Sequence, residues 1–218
     1  MNIIKNYKEN KSQKYLTYIS SFRQGYLNTD EFVFKKIKFK DYIKHEEKLF
    51  TFLNNYLKNR NLKLKILAKF SSPNFELERN YYHKFFDKNL IDVVKNGSKR
   101  NTFKYLDQSE LNIGCESTLL YEAFGRGKKT YFFGIRGKNT LSKSRNFAWP
   151  FVAKSKGLFW NNTFNFNTLS KDLDSLIKIS NKEWEYNYKK YKNKVMEFDL
   201  GNKKIKKYLT KTIFLTNS

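Results

Sequence analysis

The chain has 218 residues, enough for one domain with short appendages. Its 44 Lys and Arg against 20 Asp and Glu give a formal charge of +24, which fits either a polyanionic partner or the Lys-, Asn-, Tyr- and Phe-rich composition of an AT-rich genome. A single cysteine excludes an internal disulfide and a cysteine-based zinc site, and no apolar stretch reaches the length of a spanning helix.

Residues 1–13 are polar and are expected to be a disordered N-terminal segment. Residues 14–20 read as a buried strand that runs into a polar loop carrying Ser20, Ser21 and Arg23. From Asp41 to Asn59 the apolar residues Ile43, Leu49, Phe50, Leu53 and Leu57 recur at helical spacing, with Asp41 as the N-cap. A second strand over 62–70 ends in Lys69, Ser71 and Ser72, and an amphipathic helix follows over 75–87. The pattern continues with a strand over 90–94, a helix over 98–108, a strand over 110–114, a helix from about Ser117 to Gly125 and a strand over 129–135 that delivers Arg136.

Beyond that the pattern loosens into an aromatic stretch with a short sixth strand over 157–160. A helix over 168–179 capped by Thr or Ser follows, then a basic helix from about Asn181 to Phe198 and a last helical piece over 203–211. Strands alternating with helices predict one α/β domain, Rossmann-like, with a parallel sheet flanked by helices over 14–180. Residues 181–218 form a basic C-terminal helical extension. Residues 182–211 hold ten lysines against four acids, interleaved with Trp184, Tyr186, Tyr188 and Tyr191. That pattern suits a packed helix with lysines outward, and also an anionic bilayer surface or nucleic acid.

The segment 111–134 is the most informative. A short apolar strand ends in Gly114, the Ser117–Thr118 pair opens a helix, and Glu122 follows on its early turns. Ligands of open parallel sheets bind at the carboxyl ends of strands, and helix N-termini favour phosphates. Ser117 and Thr118 are also ordinary N-caps. No Glu or Gln stands at the capping-box position, which leaves Glu122 free to accept ribose hydroxyls. Ser20, Arg23, Lys69 and Arg136 gather at other strand ends, as a diphosphate or phosphosugar requires.

Other motifs are excluded. Gly125-Arg-Gly-Lys-Lys-Thr130 lacks the P-loop spacing and precedes a strand, and Thr130 breaks a dinucleotide fingerprint. His45 and His83 have no ligand-spaced partner, and Asp172-Leu-Asp174 reads as helix surface. The N-terminus has no signal-peptide core, so a cytoplasmic protein is expected.

Gly114, Ser117, Thr118, Glu122 and Ala123, followed by Gly-Lys-Lys and an aromatic strand, resemble the C-terminal donor-binding half of GT-B glycosyltransferases of surface carbohydrate and capsular polysaccharide biosynthesis. Phe147-Ala-Trp-Pro150, Gly157-Leu-Phe-Trp160, Phe198-Asp199-x-Gly-Asn202 and the opening Tyr18-Ile-Ser-Ser-Phe-Arg23 are similar to the same group. The resemblance implies transfer of a sugar from a nucleotide-sugar to a lipid-linked or saccharide acceptor, without metal or other cofactor. Ser117 and Thr118 would bind the donor phosphate and Glu122 the ribose or sugar, with Ser20, Arg23 and Lys69 lining the cleft. It assigns no catalytic residue here.

Two departures from that pattern matter. Ser72-Pro73 stands where relatives often carry His-Pro, and 218 residues hold only one Rossmann-like unit. The acceptor domain is missing, so the chain is expected to be a fragment, a split-gene product or half of a complex with a separate acceptor-domain protein, and inactive without that domain. The alternatives are a non-catalytic nucleotide- or membrane-binding module on the inner face of the cytoplasmic membrane and, less in keeping with the motifs, a nucleic-acid-binding protein.

Overall fold

Strands buried on both faces need unbroken apolar runs, and Tyr15–Ile19 (β1) supplies one, with all five residues buried. In this computed structural model the description covers residues 14–196, except 29, 35, 36, 71–73, 96, 98, 141 and 164, together with 203, 204, 206–208 and 210. After β1 come the short antiparallel pair Phe32–Phe34 (β2) and Ile37–Lys38 (β3), helix Phe39–Arg60 (α1) and strand Lys63–Leu67 (β4). Helix Phe75–Tyr82 (α2), strand Ile91–Val94 (β5), helix Lys99–Gln108 (α3) and strand Leu111–Gly114 (β6) follow. Then come helix Thr118–Gly125 (α4), strand Thr130–Phe133 (β7) and the short helix Ile135–Asn139 (α5). The hairpin strands Lys156–Gly157 (β8) and Trp160–Asn161 (β9) precede the helices Phe166–Lys178 (α6) and Asn181–Val195 (α7).

The main sheet runs β5-β4-β1-β6-β7-β9-β8, with every neighbouring pair parallel except β8 and β9. Counting only the parallel strands in chain order gives 3-2-1-4-5-6, the Rossmann order, whose direction of winding reverses between β1 and β6. Helices α1, α2 and α6 cover one face: Phe50 of α1 meets Tyr18 and Tyr82, and Phe52 meets Phe166 of α6. Helices α3, α4 and α7 cover the other, where Phe124 packs on Phe132 and Tyr188, and Tyr15 donates to the Tyr105 carbonyl. The predicted fold class is therefore found.

Local differences have physical causes. Asp41 is the third residue of α1 and Lys38 its N-cap, so the acid serves the helix dipole from the first turn. The expected sixth strand is two strands of two residues each, because the intervening Leu158–Phe159 makes the turn. Helix α6 is capped by Asn165, which accepts from the Asn167 amide, and α7 by Ser180. Strands β2 and β3 and helix α5 were not expected from the sequence. Ser71, Ser72 and Pro73, and the expected end of the basic helix at 197–198, lie outside the described residues. Residues 203, 204, 206–208 and 210 are helical.

Helix α7 packs onto the domain. On α7 the Trp184 indole donates to the Gly127 carbonyl at 2.7 Å, and the Tyr188 hydroxyl to Gly125 at 2.7 Å. Gly127, at φ 79°, turns the chain out of α4 in the left-handed region. Among the described residues no helix is long and apolar enough to cross a membrane.

Candidate functional site

The reversal point lies between the carboxyl ends of β1 and β6, and the residues after those strands form its walls. At the β6 end, Gly114 is buried, and a Cβ there would stand 3.3 Å from both the Ile19 carbonyl and Leu120 Cδ2. Its lack of a side chain lets α4 start close against the sheet. Ser117 is the extended N-cap of α4, but its side chain caps nothing. The first amides of the helix, Thr118 and Leu119, are the ones that an intrahelical ladder leaves open. Thr118 is exposed and Ser117 half-buried. Positive helix-end potential and two hydroxyls thus stand together at the crevice rim.

Across from them, cations collect. Lys69 follows β4 and is exposed. Its amine is held below the usual lysine range, first by partial burial and then by the Arg23 charge, with Arg136 acting in the same sense and Glu78 opposing. That depression places Arg23, Lys69 and Arg136 in one electrostatic neighbourhood. The Arg23 and Arg136 guanidinium carbons lie 6.0 and 4.9 Å from the ring centre of Tyr42. Among the described residues no carboxylate pairs with Arg23.

Arg136 is drawn inward. It is the second residue of α5, 2% exposed, and its Nη2 donates to Ser21 Oγ at 2.5 Å, Tyr26 Oη at 2.7 Å and Glu46 Oε2 at 3.0 Å. Its Nη1 reaches Glu116 Oε2 at 3.3 Å, and Arg145 meets the other oxygen of Glu116 at 3.2 Å. Burial opposes the Arg136 charge, but Glu46 and the surrounding tyrosines hold it firmly protonated. Tyr18 donates to Glu46 at 2.8 Å from below. A ladder of strand end, helix and guanidinium therefore locks β1 to β7 above β6.

Ser20 belongs to a second buried network. Its hydroxyl donates to Glu78 and accepts from Tyr82 at 2.7 Å, while Glu78 also takes the Lys69 and Phe70 amides at 2.9 and 3.0 Å. Glu78 thereby fixes the loop after β4 on which Lys69 stands. Cys115, the lone thiol, is buried, and desolvation first and Glu46 second push its pKa well up, so it is not an activated nucleophile.

The structure thus brings Ser117, Thr118, Gly114, Lys69, Arg23 and Arg136 to one edge of the sheet, with Ser20 beneath it. Glu122 follows one turn after Thr118, as the fifth residue of the eight-residue α4, and its backbone carbonyl receives the Arg126 amide. Asp172 and Asp174 are not idle surface: Asp172 pairs with Lys156 at 2.9 Å and Asp174 with Arg60 at 2.6 Å. Among the described residues no group of three or more His, Cys, Asp or Glu is arranged to hold a metal ion.

Sequence reasoning missed Glu46, Glu78, Tyr26 and Glu116. For Glu46 a signal was present. It falls three and four residues from Ile43 and Tyr42, and from Leu49 and Phe50, on the apolar face of α1. Glu78 stands likewise three and four residues before Tyr81 and Tyr82 in α2. A carboxylate on a buried stripe needs a partner from elsewhere in the fold.

The family model described as "putative O-antigen biosynthesis protein" matches residues 1–213. Among solved structures, a "putative UDP-N-acetylglucosamine 2-epimerase from Listeria monocytogenes" superposes with a TM-score of 0.50 at 12% identity. The match covers 88% of this chain and 45% of that one, so the chain spans less than half the length of the epimerase. At that identity the likeness speaks for the fold. No curated protein matches.

Proposed function

The chain belongs to the O-antigen biosynthesis family whose model it matches from residue 1 to 213, and on that premise we propose that it is the donor-binding half of a glycosyltransferase of surface polysaccharide or lipopolysaccharide biosynthesis. It takes a nucleotide-sugar, with the diphosphate at the α4 N-terminus on Ser117, Thr118 and the first helical amides. Arg23 and Lys69 face that phosphate across the crevice and stabilise the nucleotide as leaving group. Gly114 keeps the strand end low enough for close approach, and Arg136 and Ser20 brace the walls. Glu122 takes the ribose or sugar. Charge on the phosphates is met by fixed cations and helix-end amides, so no metal or other cofactor is required by this reading. The acceptor is lipid-linked or saccharide, and the catalytic base comes from an acceptor domain outside this Rossmann-like unit.

The observation that carries the reading is the uncapped N-terminus of α4 at the sheet's reversal point, opposite a lysine and an arginine. Thermal shift of the purified chain with CMP, UDP, GDP and their sugar conjugates tests it. A selective shift that Glu122→Ala removes without lowering the ligand-free midpoint is expected. No shift with any nucleotide in a folded chain would refute donor binding.

A second reading is a module that holds the nucleotide without turning it over. The inward engagement of Arg136 and Ser20 favours it, since the Arg136 Nη2 and the Ser20 hydroxyl are both taken by buried carboxylates of the protein itself. Donor hydrolysis or transfer by the chain mixed with a candidate acceptor-domain protein separates the two.

A further inference from the structure

Residues 146–152 form a turn built to hold aromatic side chains in solvent. Phe147 anchors one end, 2% exposed and with its ring centre 5.0 Å from that of Trp160, and Val152, 6% exposed, anchors the other. Between them Ala148 sits at φ 52°, a left-handed conformation that an alanine adopts only under constraint. Its amide donates to Tyr121 Oη at 3.1 Å, and its carbonyl accepts the Phe151 and Val152 amides at 2.8 and 3.1 Å. The result leaves Trp149 44% and Phe151 67% exposed, although both are large apolar groups. A packed fold with this many buried aromatics has no need to hold two outside.

The surroundings are cationic. From Lys143 to Lys156 the chain carries four cations and no acid. Arg145 and Lys156 are paired with Glu116 and Asp172, whereas among the described residues no carboxylate pairs with the exposed Lys143 or Lys154. Helix α7 lies against the same aromatic cluster, with Tyr191 5.1 Å from Trp160, and exposes Lys189, Lys190 and Lys194. An exposed indole and phenyl on a segment whose charges are all cations match the boundary between headgroups and acyl chains of an anionic bilayer, where both chemistries are met at once. A protein partner would have to supply an apolar pocket inside an acidic rim.

We propose that the turn 146–152 is a membrane wedge: Trp149 and Phe151 enter the interface of an anionic bilayer while Lys143, Lys154 and the outer lysines of α7 engage lipid headgroups. The turn follows β7 and α5 and so hangs from the carboxyl edge of the sheet, the edge that carries the candidate site. The inference holds whatever ligand that site takes.

The test is co-sedimentation of the full chain with phosphatidylcholine vesicles and with vesicles that also contain phosphatidylglycerol, while tryptophan emission is recorded. Trp160 and Trp184 are 1% and 4% exposed, so a blue shift on binding reports Trp149. Binding and a blue shift are expected only with phosphatidylglycerol, and both should fade as salt is raised. The Trp149→Ala/Phe151→Ala variant should bind about tenfold more weakly or worse with an unchanged thermal midpoint. Tyr186→Ala, which removes another exposed aromatic, should bind normally. Absence of binding, equal binding to both vesicle types, or full binding by the double variant would overturn the proposal. So would a concentration-dependent dimer that the double variant abolishes, since that would make a second copy the occupant.

Discussion

Arg136 Nη2 lies 3.0 Å from Glu46 Oε2, and the side chains are 3% and 0% exposed. An ion pair so fully withdrawn from water is supported by Ser21, Tyr26, Tyr18 and Glu116, which take up further hydrogen-bond positions and leave Arg136 Nε without a hydrogen-bond partner. It ties the end of β1, the second turn of α1 and the start of α5 into one unit over the sheet's reversal point.

Removing one partner leaves the other charged and buried. Arg136→Met or Glu46→Gln should lower unfolding free energy by about 3–5 kcal/mol. The combined Arg136→Met/Glu46→Leu variant should recover a good part of that loss. Urea unfolding of the three variants measures it, and a double variant as unstable as the sum of the singles would show that the pair is not coupled.

The alternation of apolar runs was enough to place β1, α1, β4, β5, α3, β6, α4 and β7, because strands buried on both faces and long amphipathic helices leave strong periodic marks. The strand order was not readable, since nothing local tells β6 to pair with β1. Short elements were lost for the opposite reason: β2, β3 and α5 are two to five residues long and carry no period. At the site, the hydroxyls and glycine of the β6–α4 junction were visible as a local motif. Glu46 and Glu78 were marked only by their place on apolar helix faces, and their partners, up to 90 residues away in sequence, were not legible. Arg136 illustrates the limit: its position at the strand end was legible, but the carboxylate that draws it inward was not.

Acid should weaken the junction of α1 and α6. The Arg60 guanidinium grips Asp174 through two hydrogen bonds of 2.6 Å, and that contact first, with Tyr56 adding to it against partial burial, holds the carboxyl below its ordinary value. A carboxyl with a depressed folded pKa contributes stability that is present above the unfolded value and is lost as pH falls through the folded one. Asp174→Asn should cost about 1 kcal/mol at neutral pH and show a shallower loss of stability below the ordinary carboxylate range. Thermal midpoints of both proteins across an acid series check the difference.

Ser117 separates a capping role from a binding role. An N-cap serine replaced by alanine ordinarily costs about 1 kcal/mol, but here the hydroxyl makes no capping bond. Ser117→Ala should therefore change stability by less than about 0.5 kcal/mol while weakening nucleotide binding. A large loss of stability would make the serine structural.

Lys69 should give the proposed nucleotide binding a pH dependence. Its pKa is lowered by burial and by Arg23 and Arg136, against Glu78. A phosphate needs the protonated amine, so affinity should fall as pH rises through that depressed value. Lys69→Met should bind more weakly and show a flatter alkaline limb in a calorimetric pH series.

The most direct test of a nucleotide site at this sheet edge is a titration of the chain with nucleoside diphosphates followed by amide chemical shifts. Saturable shifts of the Thr118 and Leu119 amides, with Gly114 moving alongside them, are predicted. Saturable binding that leaves those amides unmoved, or shifts confined to the lysines of α7, would contradict it.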